Sequence, residues 1–137
     1  AHPGKPLIVI NHHPMHFTHG VGENEHGMGI ENGASARLQS ILDAQKNVIY
    51  LCGHIHFGLR HEGRFATVQK VGEHIVSVCL PCFEYGEIFN GKYRSPGDPL
   101  IGAGLIMDIK TDKIILRGAN FMHGKLIKGF TEEILLN

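Results

Sequence analysis

Two short apolar runs, Leu7-Ile8-Val9-Ile10 and Val48-Ile49-Tyr50-Leu51-Cys52, bracket one helix-like segment, and both run into histidine. Residues 6–11 and 47–52 are continuous and rich in β-branched side chains, the pattern of strands covered on both faces. Between them, residues 34–45 put Leu38, Ile41 and Leu42 on one face at helical spacing, with Ala34, Ala36 and Ala44 as helix formers. Strand, helix, strand in that order predicts a right-handed parallel crossover. In such units ligands bind beyond the carboxyl ends of the strands. Asn11-His12-His13-Pro14 lies at one of those ends and Gly53-His54-Ile55-His56 at the other, so the topology predicts that the two clusters converge.

Side chains two apart on an extended backbone point the same way. His54 and His56 are therefore expected to share a side, and His13, adjacent to His12, to face away from the site. A glycine before His54 is expected to let another backbone or an ion come close. The histidine content itself is unusual: of 11 in the chain, eight fall within residues 2–56. His16, His19 and His26 lie in residues 13–33, which hold five glycines and show no periodicity. That is a long loop, and such loops in compact domains are commonly functional. His16 and His19 are candidates for a substrate rim.

The remainder reads as β-rich. Phe65–Val71 and His74–Leu80 flank Gly72-Glu73, a hairpin with a two-residue turn. Leu105–Ile109 and Ile114–Arg117 flank Lys110-Thr111-Asp112-Lys113, a second hairpin in which Asp108 and Asp112 are expected as turn residues. Residues 84–104 read as an irregular loop, with Glu84, Tyr85 and Glu87 on it. Lys125–Phe130 is expected as an edge strand and residues 131–136 as a short helical tail.

At 137 residues the chain suits one domain with a modest core. Lysine plus arginine balances aspartate plus glutamate at 13 each, with no basic stripe, so nucleic acid is not an expected partner. No apolar stretch approaches a membrane span and none resembles a signal peptide, which favours a cytoplasmic setting and no membrane. Three cysteines cannot all pair. Cys79-Leu80-Pro81-Cys82 has zinc or redox spacing, but it ends a strand rather than opening a helix, and it reads as reduced thiols.

An apolar strand ending in His-x-Pro, a helix, and an apolar strand ending in Gly-His-x-His together resemble the calcineurin-like metallophosphoesterases. The residues that carry the resemblance are His12-His13-Pro14 and Gly53-His54-Ile55-His56, and it covers residues 5–83. It implies an α/β, β-rich fold, the carboxyl-terminal portion of a four-layer αββα sandwich. It implies metal-dependent hydrolysis of a phosphoester, by a phosphatase or phosphodiesterase. Two divalent or trivalent ions (Mn, Fe or Zn) would be the cofactors, with His12 and His54 on one ion and His56 on the other. The family's earlier motifs, Asp-x-His, Gly-Asp and Gly-Asn-His-Asp/Glu, do not occur before His12, and Gly97-Asp98 lies too far downstream to be one. The resemblance thus implies a missing amino-terminal half of the same protein that supplies the bridging aspartate and the other ligands. A phosphoester substrate and that half are the expected partners, with self-association of the separate portion. No catalytic residue is assigned within this chain. The alternatives are a non-catalytic module binding a metal or a partner through the histidine-rich loop, and a thiol or zinc domain built on Cys79 and Cys82.

Overall fold

A computed structural model describes residues 5–21, 32–56, 58–83, 87–89, 92–93 and 101–137. Strand β1 (Leu7–Ile10), helix α1 (Asn32–Asp43) and strand β2 (Val48–Cys52) come first. β1 and β2 pair in parallel, Leu7 opposite Val48 and Ile10 opposite Leu51, as the strand–helix–strand order requires. Strands β3 (Val68–Val71) and β4 (Ile75–Cys79) form an antiparallel hairpin. β4 also lies parallel to β2, which gives a four-stranded mixed sheet in the order β1-β2-β4-β3.

The hairpin pairs Val71 with Ile75, so its connection has three residues rather than the expected two. The reason is an outside partner: Asp43, at the end of α1, accepts hydrogen bonds from the backbone N–H groups of Glu73 and His74 at 3.0 and 2.8 Å. A carboxylate capping two amides replaces the local hydrogen bond that would close a tighter turn.

A short ribbon, β5 (Glu87–Phe89) with β6 (Lys92–Tyr93), lies inside the segment expected as irregular loop. Strands β7 (Ala103–Ile109), β8 (Lys113–Asn120) and β9 (Lys125–Leu135) form a three-stranded antiparallel sheet. The helical tail expected over residues 131–136 is instead the end of β9. Its residues continue the ladder to β8, Ile134 opposite Ile114 and Leu135 opposite Lys113, and Phe130 and Ile134 turn inward four residues apart with strand alternation. Tertiary pairing overrides the weak helical propensity of Thr131-Glu132-Glu133. Asp108 is not in a turn but in β7, with its carboxylate 2.5 Å from Arg117 Nη2 on the neighbouring strand.

Period-two alternation sorts the core into two layers. Val48, Tyr50 and Cys52 of β2 and Ile75 of β4 face α1, where Leu38, Leu42 and Met15 meet them. Ile49 and Val78 face the other way and pack on Ile114, Leu116 and Ile134 of the second sheet. The described chain is therefore α/β and β-rich: helix, mixed sheet, antiparallel sheet. β1 is the edge of the first sheet and not the strand covered on both faces that its apolar run predicts: Ile10 is 77% exposed and Leu7 and Ile8 are 37% and 38% exposed, while Val9 packs on the core beneath α1. No helix among the described residues is long and apolar enough to cross a membrane.

Candidate metal centre

The ends of β1 and β2 are laced together past the last ladder pair. Asn11 N–H donates to the Leu51 carbonyl and Gly53 N–H to the His12 carbonyl, both at 3.0 Å. This brings His12 and His54 side by side: His12 Nε2 lies 3.0 Å from His54 Nδ1. The His13 ring closes the group, with its centroid 5.0 Å from that of His12 and 4.4 Å from that of His54. One donor atom from each of His12, His13 and His54 falls within 4.8 Å of the others.

His12 and His54 converge, and the ring that joins them is His13, which was expected to face away. Strand alternation does not carry to these histidines, because they lie beyond the ladders. Residues 11–14 are outside β1, so neighbouring side chains need not oppose each other. His54 and His56 both have left-handed backbone, φ 73° and 59°, which breaks the extended geometry that would align them. Non-glycine residues held in that region cost on the order of 1–3 kcal/mol each and cluster at functional sites. Gly53 does not provide the expected close approach: a Cβ there would sit 3.9 Å from the His12 carbonyl, an ordinary contact.

Tyr50 is the residue that sequence reasoning missed. Its ring is fully buried beneath the loop and its hydroxyl donates to the His13 carbonyl at 2.8 Å. Burial, followed by the nearby Cys52, pushes its pKa up to about 12, so the phenol remains a donor across the neutral range. The signal was available in the alternation of β2, which puts Tyr50 on the same face as Val48 and Cys52.

The His13 pKa is lowered from the ordinary histidine value, chiefly by desolvation of its ring and then by its neighbours His54 and His12. Its Nδ1 is buried without a hydrogen-bond partner. A neutral imidazole with an unused nitrogen, beside two others, is the state in which histidine binds a cation. Two nitrogens each about 2.0–2.1 Å from one zinc ion lie about 2.8–3.4 Å apart, between right-angle and tetrahedral geometry. The 3.0 Å between His12 and His54 fits that range. The converging group contains no carboxylate among the described residues.

The two rim candidates part company. His16 packs its ring on Phe17 at 4.2 Å and takes its backbone anchor from Ser35 Oγ at 2.9 Å. His19, expected at the surface, is only 2% exposed and its ring points into the protein. The next residue, Gly20, has φ 85° and no Cβ, which leaves room for the Phe65 ring against it. Cys52, Cys79 and Cys82 are free thiols, Cys52 buried. His26, Glu84 and Tyr85 lie outside the described residues, and Glu87 falls in β5.

No family model, curated protein or solved structure matches the chain.

Proposed function

We propose that the chain forms the imidazole half of a metal centre in a phosphoester hydrolase. The observation that carries it is the convergence of His12, His13 and His54 beyond the carboxyl ends of two adjacent parallel strands, with His12 and His54 at 3.0 Å. Imidazole suits zinc, iron and manganese. Such an ion, when bound, supplies Lewis-acid polarisation of a phosphoryl oxygen and an activated water. The chain's own residues hold the site in readiness. His12 and His54 present nitrogens across the β1–β2 seam, Tyr50 fixes the His13 main chain, and the buried face beneath them keeps water from the rear of the cluster.

The finer form of the proposal follows the resemblance to calcineurin-like metallophosphoesterases. The helix and two sheets would be three layers of a four-layer αββα sandwich, and His56 would serve a second ion. The open edge of β1 supports this, since its apolar residues Leu7, Ile8 and Ile10 are exposed beside His12. A further strand laid along β1 would bury them and end next to the cluster, where it could contribute the carboxylates that two close cations need for charge balance. A single-ion, non-catalytic module is the second proposal, favoured by three imidazoles, His12, His13 and His54, converging on one point.

Titration of the chain with Co2+ tests both, because the visible absorption band reports nitrogen ligation. Binding of one equivalent, abolished by His12→Ala and by His54→Ala, is the expected result. Absence of binding at millimolar ion, or binding indifferent to both substitutions, would refute the metal centre. Loss of a second equivalent on His56→Ala in a form that includes the amino-terminal half would separate the two-ion enzyme from the single-ion module.

A further inference from the structure

Among the described residues of the loop that carries His12 and His13, His19 is bonded at both ring nitrogens and at its backbone N–H. Its Nδ1 faces the Ala66 carbonyl at 2.8 Å, and since a carbonyl only accepts, that nitrogen carries the hydrogen. Its Nε2 lies 2.8 Å from the Ser77 hydroxyl, and Ser77 is fully buried. Its backbone N–H donates to Gln69 Oε1 at 2.8 Å. One residue thus ties the loop to β3, to β4 and to the segment leading into β3. It does so with a left-handed backbone, φ 51°.

The placement of these ties is informative. Tyr50 and Ser77 are register partners on the adjacent strands β2 and β4. The loop is pinned at His13 by Tyr50 and at His19 by Ser77, two neighbouring points on one sheet face. Between them Met15 and Thr18 are buried, and Thr18 closes a turn onto the Met15 carbonyl through its hydroxyl at 2.7 Å and its N–H at 3.2 Å. Ser77 Oγ is also 3.9 Å from Cys52 Sγ, two residues before His54. The same hydroxyl therefore touches the strand that delivers His54 and the histidine that anchors the loop delivering His13.

We propose that His19 is a positioning residue for the metal centre: locked between Ala66 and Ser77, it fixes the loop so that His13 meets the His12–His54 pair. This rests on the metal-centre proposal for its functional meaning, but the geometric claim stands apart from any ion. A core histidine with no such role would affect stability alone. A positioning histidine sets the distance between rings that it does not touch.

The experiment is an NMR and Co2+ comparison of the whole chain with His19→Leu, His19→Asn and Ser77→Ala. Asparagine can keep the donor toward Ala66 and loses the contact to Ser77. In the metal-free wild-type chain, cross-relaxation between the His13 and His54 rings should be visible, since their centroids are 4.4 Å apart. His19→Leu should lose that signal while keeping a folded spectrum, and His19→Asn should recover part of it. Where the wild-type chain binds Co2+, His19→Leu should weaken binding by about 10–100-fold, as for other groups that orient ligands, with the band position unchanged. Failure of the wild type to bind Co2+ would sink the metal centre and leave the ring-contact test in force. Retention of the His13–His54 signal in a folded His19→Leu chain would overturn the positioning role, as would its absence from the wild type. If His19→Leu does not fold, Ser77→Ala and His19→Asn decide: unchanged ring contact in both refutes the proposal.

Discussion

Tyr50→Phe is the smallest change that links the core to the metal centre. It deletes one oxygen from a fully buried ring and leaves the packing against Met15, Leu42 and Ile75 in place. No polar group is left behind on Tyr50 itself. The His13 carbonyl, however, loses the phenolic donor it now has at 2.8 Å. A typical hydrogen bond contributes about 0.5–1.5 kcal/mol net, and a buried acceptor left without a partner costs about 1–3 kcal/mol. His13 is only partly buried, so water can reach some of the vacated space and the upper end does not apply. The expected loss is about 1–2 kcal/mol, toward the low end of the orphaned-acceptor range. For a chain of this size that corresponds to roughly 3–7 °C in Tm. Urea unfolding should show a lower midpoint with an unchanged slope, because the surface exposed on unfolding is the same. The wild type should itself lose stability as pH rises from 10 toward 12, since the unfolded phenol ionises first and the folded one is held up at about 12. Tyr50→Phe should lack that alkaline decline. A variant within 0.3 kcal/mol of wild type, by the error usual for such comparisons, with the alkaline decline intact, would show that the phenol does not hold the His13 loop.

Other outcomes follow from the same geometry. Leu116→Ala, at a fully buried position between the two sheets, should cost about 2–5 kcal/mol in denaturant unfolding, and a loss under 1 kcal/mol would contradict a shared core. His61 donates from both ring nitrogens to acceptors, Glu132 and the Gly129 carbonyl, and its pKa is raised, first by the Glu132 hydrogen bond. Its contribution to stability should be complete below about pH 6.5, the unfolded value, and should fade as pH rises through the higher folded value. An NMR titration should show this midpoint falling on Glu132→Gln; an unmoved midpoint would rule out the pairing. The chain alone should leave bis(4-nitrophenyl) phosphate intact, because three imidazoles without a carboxylate cannot hold two cations close together; sustained turnover by pure chain would overturn that. The open β1 edge should drive association, read by sedimentation, and Ile10→Lys should reduce it.

The crossover and both hairpins were legible because they rest on local patterns. Continuous β-branched runs, a helical apolar face and turn residues each act over a few neighbours, and they placed β1, α1, β2, β7 and the β3–β4 hairpin. The end of β9 was not legible, because Thr131 to Ile134 are extended by a partner strand rather than by their own propensity. The three-residue β3–β4 turn likewise depends on Asp43, which is 30 residues from Glu73 in the chain.

For the candidate site the division is similar. That His12 and His54 stand at neighbouring strand ends follows from local pattern, because a strand–helix–strand unit commonly returns its second strand parallel beside the first. Which histidine joins them is set by long-range contacts. His13 turns in and His19 turns under because the loop leaves the extended backbone and is pinned by Tyr50 and Ser77, residues far from it in sequence. His56 stays outside the converging three because left-handed backbone at His54 and His56 ends the strand alternation. Periodicity predicts side-chain direction only where a ladder enforces the backbone, and a site built beyond the strand ends is placed by long-range contacts instead.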